Sequence, residues 1–299
     1  MRSVELPGSI GHEISTLQSI KNYLEVLKPR ETGLLVFIGL CAAVVAGDGY
    51  ISLITLFTAL AAILFASASA NGFTNYLDRR LDARMKRTSH RVLASRRIAP
   101  AQKVLPMLIV LCIAGLALAW FLHPYALIVD AVGTAAAVIY RKRVTCVFPQ
   151  GFIASCAPVL MGWFAAIPLF NLEIGLLCIL IGAWLPSHIW SVMVANRKDY
   201  MNAGICYFPL SISVKNAVRV IFGFSALLYA TAIGLYFVGD FGWLYLAVAN
   251  ILGIVMLYGS ARFMFSQASR DAWKLYKLSA FPFLGVLFLV MCLDIWFMG

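Results

Sequence analysis

The chain has 299 residues, 62% of them hydrophobic and only 12% charged. Soluble domains run to about 45–50% apolar and about 25% charged residues, so a soluble globular fold, a disordered chain and a disulfide-stapled secreted module are excluded. The 24 Lys and Arg outnumber the 13 Asp and Glu, for a net charge of +11, and the positions of those charges decide what they mean.

A helix needs about 20 mostly apolar residues to cross a bilayer. A polar segment over 1–25, carrying Glu5, Glu13 and Glu25, comes first. Apolar runs then occupy 31–47, 51–76, 104–122, 124–140, 151–170, 172–194, 216–238, 242–262 and 279–298. The first run is short, and the second is long enough to tilt or to emerge from the bilayer. None shows the alternation of a barrel strand, and lipid admits only helices or closed barrels. The expected fold is an all-α polytopic membrane protein with nine transmembrane helices, in a single domain over 1–299. Segment 1–25 has no apolar core before a cleavage site, so it reads as cytoplasmic and not as a signal peptide.

All Lys and Arg fall at 2–30, 79–103, 141–143, 197–219 and 262–277, while the loops near Asp48, His123, Glu173 and Asp240 contain none. Positive residues stay on the cytoplasmic side. The N-terminus is then cytoplasmic, the C-terminus outside, and the span count odd. Topology accounts for the net charge, and no nucleic-acid partner is expected. The seven cysteines are scattered without a CxxC pair and read as reduced packing residues.

From Pro29 to Asp78 is 49 residues, and from Pro149 to Asp199 is 50. The spacing predicts two four-helix pseudo-repeats plus a ninth helix, with an acid ending the second helix of each repeat. Such repeats place sites between them. The first acidic segment carries Asn71, Asn75, Asp78 and Asp82 at the cytoplasmic end of an apolar run. These positions share one helix face. Two carboxylates and an amide carbonyl are hard oxygen ligands, suited to Mg²⁺ that also binds phosphate oxygens. Arg79, Arg80, Arg84, Lys86, Arg87 and Arg91 surround them, so acids for a metal stand in a basic field for a diphosphate. Polar groups at that depth are by default functional. The second segment holds Pro186, which is expected to bend its span, and His188 within an apolar helix, equally readable as a packed residue or a substrate contact.

At these residues the chain resembles the UbiA-type intramembrane prenyltransferases, and within them the heme O synthase branch. The resemblance rests on Asp78-Arg-Arg-Leu-Asp82, Met85, Arg87-Thr88 and Arg91; on Trp184, Pro186, His188 and Trp190; and on Asp199, Tyr200, Ala203, Gly204 and Ile205. It runs from about residue 24 to 290. Departures are Thr74 for an Asn, Arg80 for the middle acid of D-R-D-I-D, and Ser187 and Cys206 for prolines. Ala94-Ser95-Arg96-Arg97 stands where the pattern reads P-x-G-R.

The resemblance implies transfer of a farnesyl group from farnesyl diphosphate to heme B, or to another hydrophobic acceptor, at the cytoplasmic face of the cell membrane. It implies Mg²⁺ held by Asp78 and Asp82 with Asn75 and Asn71, and Asp199 either holding a second Mg²⁺ or orienting a basic residue. Lys28, Arg87, Arg91, Lys142 and Arg143 would hold the diphosphate. His188 would touch heme, with Trp184 and Trp190 packed on the macrocycle and Tyr200 nearby. Asp130 is expected to hydrogen-bond a neighbouring helix.

Overall fold

The structure is a computed structural model and describes residues 16–139 and 146–298. Lys142 and Arg143 lie outside the described residues, as do the first fifteen residues of the N-terminal segment. Among the described residues all regular structure is helical.

The first helix, α1 (Thr16–Val26), precedes any apolar run. It is amphipathic, burying Asn22 and Val26 and leaving Leu17, Ile20 and Leu24 exposed. The main helices are α2 (Pro29–Ala46), α3 (Leu53–Asp82), α4 (Leu105–Leu122), α5 (Pro124–Ile139), α6 (Gln150–Ala166) and α7 (Leu172–Leu185). A π turn over Pro186–Trp190 leads to α8 (Ser191–Ala195) and α9 (Arg197–Asn202), followed by α10 (Val214–Val238) and α11 (Trp243–Ser266). Then α12 (Ser269–Leu278) joins α13 (Val286–Met298) through a π segment, Ser279–Gly285. Among the described residues seven helical stretches are long and apolar enough to cross a membrane, and α5 and α6 are shorter apolar helices beside them. The chain is a multi-pass integral membrane protein.

Two boundaries differ from the sequence expectation. Helix α3 continues six residues beyond 76, so Asp78 and Asp82 are on its last turns. Polar side chains end the apolar run but leave the backbone helical. The last helical stretch starts at Ser269, ten residues early, because α12 is amphipathic and not apolar throughout.

Helix starts follow local chemistry. Pro29 opens α2, and the side chains of Ser52, Asn171 and Ser213 accept from the backbone N–H of Thr55, Ile174 and Asn216. Such caps satisfy donors that lipid would leave bare. Helix α11 has no cap of its own. Buried Asp294 on α13 accepts from the Gly242 and Tyr245 N–H groups, the latter at 3.0 Å. Replacing Asp294 with Ala should cost about 1–2 kcal/mol. The check is a lower thermal midpoint in detergent with turnover per folded molecule unchanged.

Helix α2 packs against α6, α3 against α4, α5 against α6, α7 against α10, and α13 against α2. The α2–α6 crossing is a backbone contact: a Cβ built on Gly162 would lie 1.8 Å from the Gly39 carbonyl oxygen. Small residues at such crossings let membrane helices approach closely.

Candidate active site

Three adjoining cavities surround the C-terminal half of α3. The outer one, about 330 Å³, is lined by Lys28, Glu31, Asn75, Asp82 and Arg91 among others. The central one, about 320 Å³, shares Lys28, Glu31 and Arg91 with it and adds Arg87, His188 and Tyr200. The deep one, about 150 Å³, shares Asn71 and Thr74 with the central cavity and ends among Asp130, Met161 and small residues.

The polar stripe of α3 is therefore divided. Asn71 belongs to the central and deep cavities, and its amide donates to Thr32 Oγ1 at 3.0 Å. Asn75 and Asp82 belong to the outer cavity. The Asn75 amide nitrogen donates to the Val26 carbonyl at 2.7 Å, while its buried Oδ1 has no partner among the described residues. Asp82 accepts from Arg91 at 2.9 Å. Asp78 is buried on the same turns. Burial raises the Tyr207 phenol above its usual range, with the Cys146 thiol, the Tyr200 phenol and, least, Asp78 adding to it.

Lys28 donates to Thr74 Oγ1 at 3.1 Å, so the threonine that departs from the family pattern holds a cation of the site. Both oxygens of Asp199 are occupied by the backbone N–H groups of Lys86 and Arg87, at 2.9 and 3.1 Å. The carboxylate thereby ties the loop that carries Arg87 to α9. The Arg87 guanidinium donates to the Tyr200 hydroxyl at 3.0 Å. Burial raises the Tyr200 phenol despite the opposing charge of Arg87. The two polar loops are thus joined at Arg87.

His188 sits in the π turn that Pro186 opens, where the sequence predicts a bend. Its ring stacks between Trp184 and Tyr276, with centroids 4.7 and 4.4 Å away. The Ser279 hydroxyl donates to the Tyr276 carbonyl and lies 3.0 Å from His188 Nδ1. A hydroxyl has one proton; with the Ser279 proton on that carbonyl, the tautomer that completes the contact is the one with its proton on Nδ1. Trp184 acts from behind, bonding its indole N–H to the Ser279 carbonyl. Trp190 does not join it. It packs with Phe148, Phe208 and Phe224 and is not among the residues lining the central cavity. Among the described residues Asp130 is bonded within its own helix, accepting from Thr134 at 3.2 Å, and not to a neighbouring one.

The sequence reading missed Gln150, Tyr276 and Ser279. Gln150 lines the central cavity, is buried, and among the described residues has no hydrogen bond to either amide atom. Its only local signal is a glutamine opening an otherwise apolar helix.

Among the described residues no three His, Cys, Asp or Glu side chains are arranged to hold a metal unaided. The outer cavity instead offers the Asp82 carboxylate and the unpartnered amide oxygen of Asn75. That set suits Mg²⁺, which takes one or two carboxylates and draws its remaining ligands from phosphate and water.

The UbiA prenyltransferase family profile matches residues 35–288. This chain belongs to the UbiA prenyltransferase family. It is 35% identical over 282 residues to a protoheme IX farnesyltransferase of Desulforudis audaxviator, covering 92% of this chain and 89% of that one. It is 30% identical to the protoheme IX farnesyltransferase of Gloeobacter violaceus, covering 92% of each. A digeranylgeranylglyceryl phosphate synthase structure superposes with TM-score 0.72 at 19% identity, over 93% of this chain and 99% of that one. A UbiA homologue from Archaeoglobus fulgidus, solved with GPP and Mg²⁺, superposes with TM-score 0.62 at 14% identity, over 90% and 99%. As a UbiA-family member similar to protoheme IX farnesyltransferases, the protein is an enzyme, a prenyltransferase.

Proposed function

We propose that this prenyltransferase moves the farnesyl group of farnesyl diphosphate onto a vinyl group of heme B, giving hydroxyethylfarnesyl heme (heme O). The observation that carries this reading is the central cavity, where Lys28, Arg87 and Arg91 share the lining with a histidine ring stacked between Trp184 and Tyr276. Cations suit a diphosphate, and an imidazole lone pair between aromatic rings suits a metalloporphyrin. The names of the curated relatives support the acceptor, and the GPP and Mg²⁺ of the Archaeoglobus homologue support the donor and metal.

In this reading Lys28, Arg87 and Arg91 bind the diphosphate, and Lys142 and Arg143, outside the described residues, complete its cradle. Asp82, Asp78 and the Asn75 side-chain oxygen would hold Mg²⁺, and a metal held there would supply positive charge for the departing diphosphate. Asp199 and Tyr200 are positioning residues that fix Arg87. Asn71, tied to Thr32, forms the wall between central and deep cavities. The C1–O bond of the farnesyl chain breaks, with its electron pair leaving on the diphosphate. The vinyl π electrons bond to C1, and water adds to the resulting cation beside the macrocycle and loses a proton. His188 faces the heme iron, with Trp184 and Tyr276 holding its ring. Gln150 offers the acceptor both a donor and an acceptor.

We also propose that α5 and α6 cross the bilayer with the seven longer stretches, making nine spans with a cytoplasmic N-terminus and an external C-terminus. The one-sided distribution of Lys and Arg supports this. Contacts α2–α3, α3–α4 and α4–α5 recur as α6–α7, α7–α10 and α10–α11, which supports two four-helix repeats and a ninth helix in one domain.

The test is purified protein in detergent with farnesyl diphosphate, heme B and either Mg²⁺ or excess EDTA, with heme followed by mass spectrometry. Farnesylated, hydrated heme should form only with Mg²⁺, and not with Asp78→Ala. Diphosphate release without modified heme would move the acceptor to a quinone precursor, a chlorophyll-like ring or a lipid. No Mg²⁺-dependent turnover with any of these would end the reading.

A further inference from the structure

The end of α3 has two faces. One carries the acids of the site. The other carries Arg79, Arg80 and Ala83 into a further cavity of about 300 Å³, which meets the outer cavity at Leu93 and Ala94 and is closed by Arg96, Ile98 and Gln102. Three arginines line it and no acid does. Arg79 is held in place, donating to the Tyr76 carbonyl with its guanidinium 4.1 Å from the Tyr76 ring centroid. Arg80 and Arg96 are exposed, and among the described residues neither forms an ion pair. The positive-inside rule accounts for basic residues on this side of the membrane, but not for three around one cavity without a counter-ion.

Arg96 adds a second observation. Its φ is 61°, a left-handed backbone that glycine adopts freely and an L-residue only at a cost. The related pattern P-x-G-R has glycine there. Arg80 likewise replaces an acid of the related pattern. Both departures add positive charge to the same cavity, and at Arg96 the charge is kept against the preference of the backbone. The cavity lies at the membrane boundary. Leu77, one turn before Arg80 on α3, is 46% exposed at the end of the apolar stretch, and Pro100 leads directly into the next membrane helix.

We infer that Arg79, Arg80 and Arg96, none of which lines a substrate cavity, form a phosphate-binding site at the cytoplasmic boundary that takes the phosphodiester headgroup of an anionic lipid or a free phosphate. Guanidinium groups bind phosphate bidentately, and basic pockets on the cytoplasmic side of membrane helices suit anionic headgroups. The inference does not depend on the acceptor or on the reaction.

The test compares wild type, Arg96→Gly and Arg80→Gln/Arg96→Gly, delipidated in neutral detergent. Each is titrated with short-chain phosphatidylglycerol, matched phosphatidylcholine, or sodium phosphate, and read by native mass spectrometry and thermal melting. Phosphatidylglycerol should be retained by wild type and raise its midpoint, phosphatidylcholine should not, and affinity should fall about fivefold for each arginine removed. Arg96→Gly should melt higher than wild type without lipid, because the left-handed backbone is relieved, and yet gain less from phosphatidylglycerol. A merely structural Arg96 would not give those opposite signs. A response to sodium phosphate alone, lost in the double variant, supports the site with a free anion as occupant. Equal responses of wild type and double variant, or of the two lipids, overturn it.

Discussion

Asp82→Ala should give a folded protein whose Mg²⁺-dependent turnover is about a thousandfold lower, the loss typical when one preorganised electrostatic partner of a transition state is removed. Asp82 is buried at the end of α3, with 2% of its side chain exposed, and bonds Arg91 at 2.9 Å. Its cavity also holds the partnerless Asn75 oxygen. Removing the carboxylate takes away a proposed metal ligand and frees Arg91 to swing from its place beside the diphosphate. Arg91 keeps 30% of its side chain exposed, so water can receive the freed cation and the fold should survive. Asp82→Asn keeps the volume and a hydrogen-bond acceptor but loses the charge. If charge is what matters, it should be nearly as slow and need more Mg²⁺ for half-maximal rate. Turnover within about tenfold of wild type, with an unshifted Mg²⁺ titration, would remove Asp82 from the metal site.

The second large effect is on the fold. Gly162→Leu should fail to give a monodisperse protein, and even Gly162→Ala should cost about 3 kcal/mol or more, the upper range for overpacking. A Cβ there would meet the Gly39 carbonyl oxygen at 1.8 Å and its carbon at 2.7 Å. Both atoms are backbone, so no rotamer relieves the clash, and α2 must move from α6. Helix α2 also carries Thr32, and Lys28 stands at its start, so the movement would pull both from Asn71 and Thr74. The comparison is Gly175→Ala, where nothing lies within 4 Å and the gain in helix propensity should leave stability equal or higher. Size-exclusion profiles and thermal midpoints of the two alanine variants check the contrast. Similar midpoints would mean that the crossing is looser than these distances.

Much of the fold is legible in the sequence because lipid is an unforgiving solvent. It requires long apolar helices, so the apolar runs locate them. It also makes polar residues conspicuous, so Asp78, Asp82 and His188 stand out against their apolar surroundings by residue type alone. The legible signal is hydropathy, and it fails where a helix is not uniformly apolar. Helices α1 and α12 are amphipathic, and α3 runs on past the end of its apolar run through two acids.

Local pattern does not say which helices are neighbours, because backbone contacts such as Gly39 on Gly162 leave no periodic trace in either segment. The partners across those contacts are set by tertiary structure alone. It decided that Asn71 and Asn75, one turn apart on one helix face, serve different cavities. It gave Asp199 to the backbone of Lys86 and Arg87, separated Trp190 from Trp184, and made Asp294 the cap of another helix. It also turned the arginines of one basic loop toward two different cavities, Arg87 and Arg91 inward and Arg79, Arg80 and Arg96 outward. The sequence by itself determined a multi-pass helical membrane protein with an acidic, basic-flanked site at one face, since burial in lipid depends on each segment's own composition. The assignment of individual side chains to that site was left to packing, which depends on pairs of segments distant along the chain.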